Sequence, residues 1–153
     1  MLTEDYLIRR INQAVALLLH ALGLRQNGQL EAALTDIDIA LELLLGMRSV
    51  LLKEMDEPSL MQLVTVRGQV DFERLALVAS LFKEEGAIYE LEGRQADSSR
   101  DYLRALNFLL VFAQDEKVGL SADQIADIEQ LRRSLRHQHL PLDTQAALLN
   151  YYQ

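Results

Sequence analysis

LLLHALGLRQNGQLEAALTDIDIALEL (residues 17–43) and FKEEGAIYELEGRQADSSRDYLRALNF (residues 82–108) follow one pattern of side-chain sizes. A glycine, Gly28 in the first stretch and Gly93 in the second, stands at the same position in both. Large and small side chains match around these glycines at Leu17/Phe82, Ala21/Gly86, Leu24/Tyr89, Ala33/Ser98, Ile37/Tyr102 and Ala40/Ala105. Because residues three or four apart lie on one face of a helix, each stretch predicts two helices that reverse at the glycine and pack closely at the small residues.

The order large, small, large, turn glycine, small, large, small resembles the tetratricopeptide repeat (TPR). The resemblance implies an all-α fold of TPR-like antiparallel helical hairpins arranged as a right-handed α-α superhelix. His20 and Glu85 depart from the repeat, which usually has a leucine-like residue at these positions, and neither second helix is followed by the usual proline. The turn glycines are 65 residues apart, whereas the tetratricopeptide period is about 34 residues. We therefore expect a helical insertion between two degenerate repeats.

The whole chain is also similar to a small bacterial family, a domain-of-unknown-function group with a TPR-like fold. The features behind this similarity are Asp5–Leu7, Glu31–Leu34, Leu44–Gly46, Leu81–Gly86, Tyr102–Leu106 and Leu140-Pro141. The similarity implies a fold, and it brings no activity and no functional residues with it.

The length of 153 residues predicts a single helical domain, residues 1–153. Its predicted parts are hairpin one at 3–46, the helical insertion at 47–70, hairpin two at 71–114 and C-terminal helices at 121–153. Within the insertion we expect a helix from Pro58 to Val66. No strand is predicted, because the only β-branched cluster, residues 64–66, is short.

Several residues mark the predicted helix ends. Thr3, Asp71 and Asp143 are predicted N-caps, because a short oxygen-bearing side chain there can accept from the free backbone N–H groups of the first turn. Residues 121–124 form a capping box. Gly46 is a predicted C-cap, since glycine adopts the left-handed conformation that ends many helices.

The charge balance bears on the class of partner. The chain holds 23 Asp and Glu against 15 Lys and Arg, a net charge of −8. A nucleic-acid-binding face needs clustered basic side chains that release phosphate counterions, and Arg132, Arg133 and Arg136 make only a small patch. We therefore expect no nucleic-acid partner. The negative charge favours solubility or a partner with basic groups.

The sequence also bears on compartment. Residues 1–5 lack the positive region and the small-residue cleavage site of a signal peptide. The longest nearly uncharged stretch, Ile11 to Leu24, is too short for a membrane span and includes polar residues. The absence of cysteine excludes disulfides and thiolate chemistry. We expect a cytoplasmic protein with no membrane partner.

No pattern of residues predicts catalysis or metal binding. His137 and His139 come nearest to a metal site, but two ligands do not complete tetrahedral zinc. The Glu-x-x-His pairs of a di-iron bundle are absent from the sequence. Neighbouring carboxylates such as Glu84 and Glu85 are interpreted as solvated helix faces with ion pairs. We expect no enzyme activity, catalytic residue, cofactor or metal.

The resemblance also implies where a ligand would bind. In a tetratricopeptide stack the first helix of each pair lines a concave groove. Helical spacing assigns to that groove Val15, Leu18, Leu22, Arg25 and Gln26 in hairpin one and Ser80, Lys83, Ala87, Glu90 and Leu91 in hairpin two. Superfamily members that clamp a peptide carboxylate use Lys, Arg and Asn there. Arg25 and Lys83 alone do not make such a set, because anion capture needs converging donors.

The first helix is apolar nearly all round between Ala14 and Leu24, which is typical of a buried helix. Val15, Leu18 and Leu22 therefore need a cover. The insertion helices, a second subunit, and an apolar peptide or acyl ligand are the three candidates.

Tyr151 and Tyr152 have two interpretations, packing on the preceding helix or a dimer contact. Taken with the apolar first helix, the pattern predicts a non-enzymatic protein–protein interaction or scaffold module, with self-association as a homodimer in one version. The alternative function is a binder of an apolar small molecule or peptide in the concave groove.

Overall fold

The computed structural model describes residues 4–153 and confirms an all-α chain, with eight helices and 76% helix in the described part. The helices are α1 (Glu4–Gln26), α2 (Leu30–Leu45), α3 (Ser49–Leu52), α4 (Glu57–Leu63), α5 (Phe72–Leu91), α6 (Gln95–Gln114), α7 (Ala122–Ser134) and α8 (Leu142–Tyr152). Strands β1 (Thr65–Val66) and β2 (Gln69–Val70) form one antiparallel pair. Thr3, the first predicted N-cap, lies outside the described residues.

The two predicted hairpins are the pairs α1/α2 and α5/α6, whose helices pack against each other. Gly28 and Gly93 lie in the turns with φ of 77° and 75°. These are left-handed conformations, which glycine adopts without the steric cost that other residues meet. A side chain at either position would meet no neighbouring atom within 4 Å. Backbone conformation therefore accounts for both glycines.

Gly86 shows the other use of glycine, a close approach between helices. A Cβ atom at this position of α5 would lie 2.6 Å from Cδ1 of Tyr102 on α6. The Ser98 hydroxyl donates a hydrogen bond of 2.8 Å to the Gly86 carbonyl oxygen. These contacts join positions that the repeat pattern matched as small and large, so the pattern correctly identified the packing between α5 and α6.

The two departures from the repeat both have polar partners on other elements. His20 is exposed, and its Nδ1 lies 2.5 Å from Oδ2 of Asp36 on α2. Glu85 is buried, and its Oε2 lies 3.3 Å from Nζ of Lys53, in the insertion.

The insertion differs from the expected helix over residues 58–66. Helix α4 ends at Leu63, and the chain then forms the β1/β2 hairpin, with Thr65 opposite Val70. Arg67 and Gly68 connect the strands with φ of 53° and 76°. Positive φ at both turn residues is what a type I′ hairpin turn requires, and glycine makes it accessible. The prediction of a helix to Val66 and of no strand was wrong at this point.

The predicted caps have different outcomes. The Asp71 side chain accepts from the Arg74 backbone N–H at 3.2 Å, and Ser121 and Gln124 form both bonds of the capping box. Gly46 ends α2 with φ of 73°. Asp143 is not an N-cap, because α8 begins at Leu142, directly after Pro141. A proline supplies no side-chain acceptor but fixes a φ that suits a helix start, which moves the boundary.

Helix α5 lies at the centre of the packing. It contacts α6 on one side and both helices of hairpin one on the other. Helices α7 and α8 pack on α6. One continuous apolar core runs through these elements, and its largest fully buried side chains include Ile37, Phe82 and Phe108. This order brings α1, α5 and α7 around one side of the molecule.

Candidate functional site

A cleft of about 530 Å³ lies between α1, α5 and α7, with one residue of α6 among its walls. We call it the groove. Its lining residues are Leu18, Leu22 and Arg25 of α1, Ser80, Lys83, Glu84, Ala87, Glu90 and Leu91 of α5, Tyr102 of α6, and Asp127, Gln130, Leu131 and Ser134 of α7. The first helices of both hairpins therefore meet at one concave surface.

Most of the predicted groove positions line this cleft. The predicted residues found there are Leu18, Leu22, Arg25, Lys83, Ala87 and Glu90, together with Ser80 and Leu91. Val15 and Gln26 are not among the lining residues. The spacing argument missed Glu84, Tyr102 and the whole contribution of α7. Helix α7, which follows hairpin two, joins α1 and α5 at the groove.

The groove has an apolar wall. Leu18 and Leu22 supply it from α1, Ala87 and Leu91 from α5, and Leu131 from α7. Leu91 is 61% exposed, and Leu18 and Leu22 are half-buried. Covering a large apolar side chain is worth about 1.5–3 kcal/mol. An occupant that covers these side chains gains a substantial part of that free energy.

Two ion pairs cross the groove and tie its helices together. The Arg25 guanidinium of α1 donates to both carboxylate oxygens of Glu84 on α5, with an Nη2–Oε1 distance of 3.2 Å. Lys83 Nζ donates to Asp127 Oδ1 of α7 at 2.6 Å. The two cations that a carboxylate clamp would need are therefore already paired with acids of the same chain. This arrangement argues against capture of a peptide carboxylate.

Tyr102 and Glu90 form a third polar pair in the groove. The Tyr102 hydroxyl donates to Glu90 Oε2 at 2.6 Å. Burial raises the pKa of Tyr102, and the negative charge of Glu90 adds to the rise. The ring is buried between α5 and α6, so the hydroxyl holds the Glu90 carboxylate in one place. Within residues 4–153, no cation forms an ion pair with Glu90.

The insertion does not cover the apolar side of α1. The groove lining includes no residue from 47–70. Arg104 of α6 instead donates to the carbonyl oxygens of Lys53 and Met55 at 2.9 and 3.0 Å. Asn107 of α6 donates to Glu57 at 2.6 Å. The insertion therefore packs against α6, and of the three candidate covers it supplies no lining residue to the groove.

Helix α1 keeps much of its apolar surface uncovered. Ala14 and Ala21 are its only buried residues in the described range, while Leu19 is 65% exposed and Leu7 and Ile8 are also exposed. By length and composition, α1 is the one described helix that could cross a membrane. This is weak evidence for a membrane span, because core helices of soluble proteins and N-terminal signal sequences meet the same criterion of length and composition.

Tyr151 and Tyr152 lie outside the groove. Their rings make an edge contact with centroids 4.7 Å apart. Arg132 of α7 donates to the Tyr152 hydroxyl at 2.7 Å, and that hydroxyl donates to Glu129. Tyr151 is half-buried against the core. The contacts seen are those of packing on the preceding helix.

A second polar cluster lies away from the groove, in the interior. We call Lys53, Glu85, Asp101 and Arg104 the sealed cluster. Glu85 is 1% exposed and Asp101 is fully buried. Arg104 Nη1 approaches Asp101 Oδ1 at 3.8 Å. In the described part of the chain, no N–H or hydroxyl group makes a hydrogen bond to the four carboxylate oxygens.

The surroundings of Asp101 favour its protonated form. Burial raises the pKa of Asp101 to about 9, and the adjacent Glu85 carboxylate adds to the rise. A neutral Asp101 has an O–H group that can donate to a neighbouring carboxylate. Burial works to lower the pKa of Lys53, but Glu85 and Asp38 outweigh it and raise that pKa above its ordinary value. Glu85 is thus held between a protonated acid and an ammonium group.

Among residues 4–153, no three His, Cys, Asp or Glu side chains converge as metal ligands. His137 is bonded to its neighbour Arg136, whose Nε donates to His137 Nε2 at 3.1 Å. Comparisons of the chain with protein-family models, with curated proteins and with solved structures return no match. The geometry of the groove is therefore the basis for a functional assignment.

Proposed function

We propose that this protein is a non-enzymatic interaction module that binds a helical segment of a partner protein in the groove. In this proposal the chain is a TPR-like right-handed superhelix, with α1, α5 and α7 as its inner helices. The observation that carries the proposal is the cleft itself. Three helices from different parts of the chain place five apolar side chains on one concave surface.

The packing order supports a TPR-like arrangement. Helices α1/α2 and α5/α6 are hairpins, α1 contacts α5, and α7 follows on α6. In a stack of helix pairs the first helices are neighbours and line the inner face. The groove-lining helices α1, α5 and α7 fit that position.

The polar groups of the groove support a binding role over a catalytic one. Glu84 is held by Arg25, Asp127 by Lys83, and Glu90 by the Tyr102 hydroxyl. General acid–base catalysis needs a group that can exchange a proton with a bound substrate. Carboxylates that are tied into pairs across helix interfaces instead fix the shape of a binding surface.

The alternative occupant is an apolar small molecule or short peptide. A volume of about 530 Å³ lies in the usual range for small-ligand sites, about 300–1,000 Å³. However, the apolar side chains of the groove come from three helices, α1, α5 and α7. A helix that lays its apolar face into a groove can cover such a surface, so we favour a protein segment.

Self-association is the second candidate function. The exposed side chains of Leu7, Ile8 and Leu19 on α1 favour it, because contiguous exposed apolar surface often marks an interface. Light scattering over a concentration series tests it. A dimer that becomes a monomer in Leu19→Glu supports self-association, and a monomer at all concentrations rules it out.

A peptide selection tests the groove directly. A random-peptide library displayed on phage is selected on the wild-type protein, and enriched peptides are measured on Leu22→Glu and Leu19→Glu. Leu22 lines the groove, whereas Leu19 is on the same helix outside it. We expect enriched peptides to bind Leu19→Glu as they bind the wild type and to lose at least about tenfold on Leu22→Glu. Equal binding to both variants, or no enrichment, contradicts the proposal.

A further inference from the structure

We infer that the partner segment carries a Lys or Arg side chain next to its apolar residues, and that Glu90 receives this cation. The inference rests on the proposed function and names the chemistry of the partner. It identifies the occupant of the groove as a basic amphipathic helix.

The charges of the groove do not balance. Its lining holds the cations Arg25 and Lys83 and the acids Glu84, Glu90 and Asp127. Glu84 and Asp127 are each paired with a cation of the same chain. Within residues 4–153 the Glu90 carboxylate accepts from the neutral Tyr102 hydroxyl and forms no ion pair. One negative charge is therefore left for a partner to neutralise.

Glu90 is also well placed to act with the apolar wall. Glu90 and Leu91 follow Ala87 by three and four residues on α5, so each lies on the same face of the helix as Ala87. All three line the groove. Glu90 is exposed, while the buried Tyr102 ring fixes the hydroxyl that holds its carboxylate. When an apolar side chain of the partner covers Leu91, a cationic side chain next to it in the partner would reach Glu90.

The charge of the whole chain selects among the occupants. At a net charge of −8, the protein attracts a basic partner and repels an acidic one during encounter. A second copy of the chain brings its own charge of −8, which opposes association. A neutral acyl ligand leaves Glu90 without a cation. A basic amphipathic segment satisfies both the apolar wall and Glu90.

Parallel selections test the inference. The same phage library is selected on the wild type, on Glu90→Lys and on Glu116→Lys. Glu116 is an exposed acid in the loop between α6 and α7, outside the groove. Glu116→Lys therefore makes the same change of charge as Glu90→Lys at a position away from the groove. We expect Lys or Arg beside the leucine-like positions of peptides from the wild type and from Glu116→Lys. Peptides from Glu90→Lys should carry Asp or Glu there.

Direct binding gives the magnitude. A selected peptide is synthesised with its basic residue as Lys, Gln or Glu, and fluorescence anisotropy gives Kd on wild type and Glu90→Gln. We expect the Lys peptide to bind the wild type about three- to tenfold more tightly than Glu90→Gln, and the Gln peptide to show no difference. The preference should weaken in about 1 M salt.

The failures of the two proposals are distinguishable. Peptides that lose binding on Leu22→Glu but show no basic bias, or an equal bias on Glu90→Lys, overturn the role of Glu90 and leave the groove as the binding site. Peptides that ignore Leu22→Glu overturn the groove itself. A dimer that dissociates in Leu22→Glu, with no peptide enriched, identifies a second copy as the occupant and overturns both.

Discussion

Glu84 and Glu85 are neighbours in the sequence, yet α5 presents them to different surroundings. Glu84 lines the groove, where Arg25 of α1 holds its carboxylate with two hydrogen bonds. Glu85 lies in the sealed cluster, with Asp101 and Lys53 beside it. Each acid in the groove has its own partner. The sealed cluster instead places the carboxyl groups of Glu85 and Asp101 side by side, and protonation of Asp101 removes the repulsion between them.

The groove is therefore a surface that can bind a partner, whereas the sealed cluster is a buried interior that cannot. In the groove, apolar side chains and an unneutralised carboxylate are open to a partner. In the sealed cluster, Arg104 bonds the carbonyl oxygens of Lys53 and Met55 and so fixes the insertion to α6. We infer that changes in the sealed cluster act on stability, and that changes in the groove act first on binding.

The largest effect is expected from Arg104→Leu. The substitution removes both hydrogen bonds to the insertion and the guanidinium beside Asp101. Removing one partner of a buried charged network costs about 3–5 kcal/mol. Urea denaturation measures the loss of unfolding free energy. Arg100→Leu is the control, because this exposed arginine on the same helix pairs with Asp97 at the surface, and we expect a change within about 0.5 kcal/mol.

A loss for Arg104→Leu no larger than that of the control would mean that the sealed cluster does not hold the insertion. The structural role inferred for the sealed cluster would then be wrong.

The next largest effect is expected at the close contact between Gly86 of α5 and Tyr102 of α6. Gly86→Leu places a side chain into the Tyr102 ring, since even a Cβ atom would lie 2.6 Å from it. Overpacking of this kind costs about 1–3 kcal/mol. Because the Tyr102 hydroxyl reaches Glu90, the substitution should also weaken peptide binding in the groove. Thermal melting and anisotropy measure the two consequences.

Gly23→Leu is the matched control for Gly86→Leu. Gly23 is also inside a helix, but a Cβ atom there meets no neighbouring atom within 4 Å. Replacing a helix-interior glycine with a good helix former should stabilise the protein by about 0.5–1 kcal/mol. Equal melting temperatures for the two variants would contradict the close α5/α6 contact.

The sealed cluster should also make stability depend on pH. The pKa of Asp101 is about 9 in the folded protein, against an ordinary value of 3.8. A raised pKa means that the stabilising contribution is complete below about pH 4 and is lost as the pH rises towards 9. For one group the slope is at most about 1.4 kcal/mol per pH unit. Asp101→Asn keeps a donor towards Glu85 and cannot ionise, so the decline should become shallower.

Urea denaturation between about pH 6 and about pH 9 checks this prediction. Asp97→Asn is the control, because Asp97 lies at the start of the same helix and pairs with arginines at the surface. It should change stability without changing the slope. An unchanged slope in Asp101→Asn would show that Asp101 does not hold the proton.

Local patterns explain which parts of this structure the sequence could predict. Helix α2 begins after the predicted turn at Gly28 and ends at the predicted C-cap, Gly46. The groove positions on α1 and α5 follow from helical spacing within each hairpin. Both predictions use residues that are close together in the sequence. The small residues also indicate where two helices pack closely.

The missed features depend on contacts between distant segments. The direction in which α7 packs is set after the loop that follows α6, so spacing could not assign Asp127 to the groove beside Lys83. Glu85 was interpreted as solvated because its partners, Lys53 and Asp101, come from the insertion and from α6. The β1/β2 hairpin was missed because its strands have two residues each.

The smallest effect tests how the groove keeps its shape. Lys83 and Asp127 join α5 to α7, and each side chain is about one-third exposed. Pairs with this exposure contribute about 0.2–1 kcal/mol, and salt screens them. A double-mutant cycle with Lys83→Met and Asp127→Asn should give a coupling in that range, which falls towards zero in about 1 M salt. If the coupling were insensitive to salt and larger than that of Arg25 with Glu84, the α7 side of the groove would be part of the rigid interior. The groove would then be a fixed cavity, which favours a small apolar ligand over a helical segment.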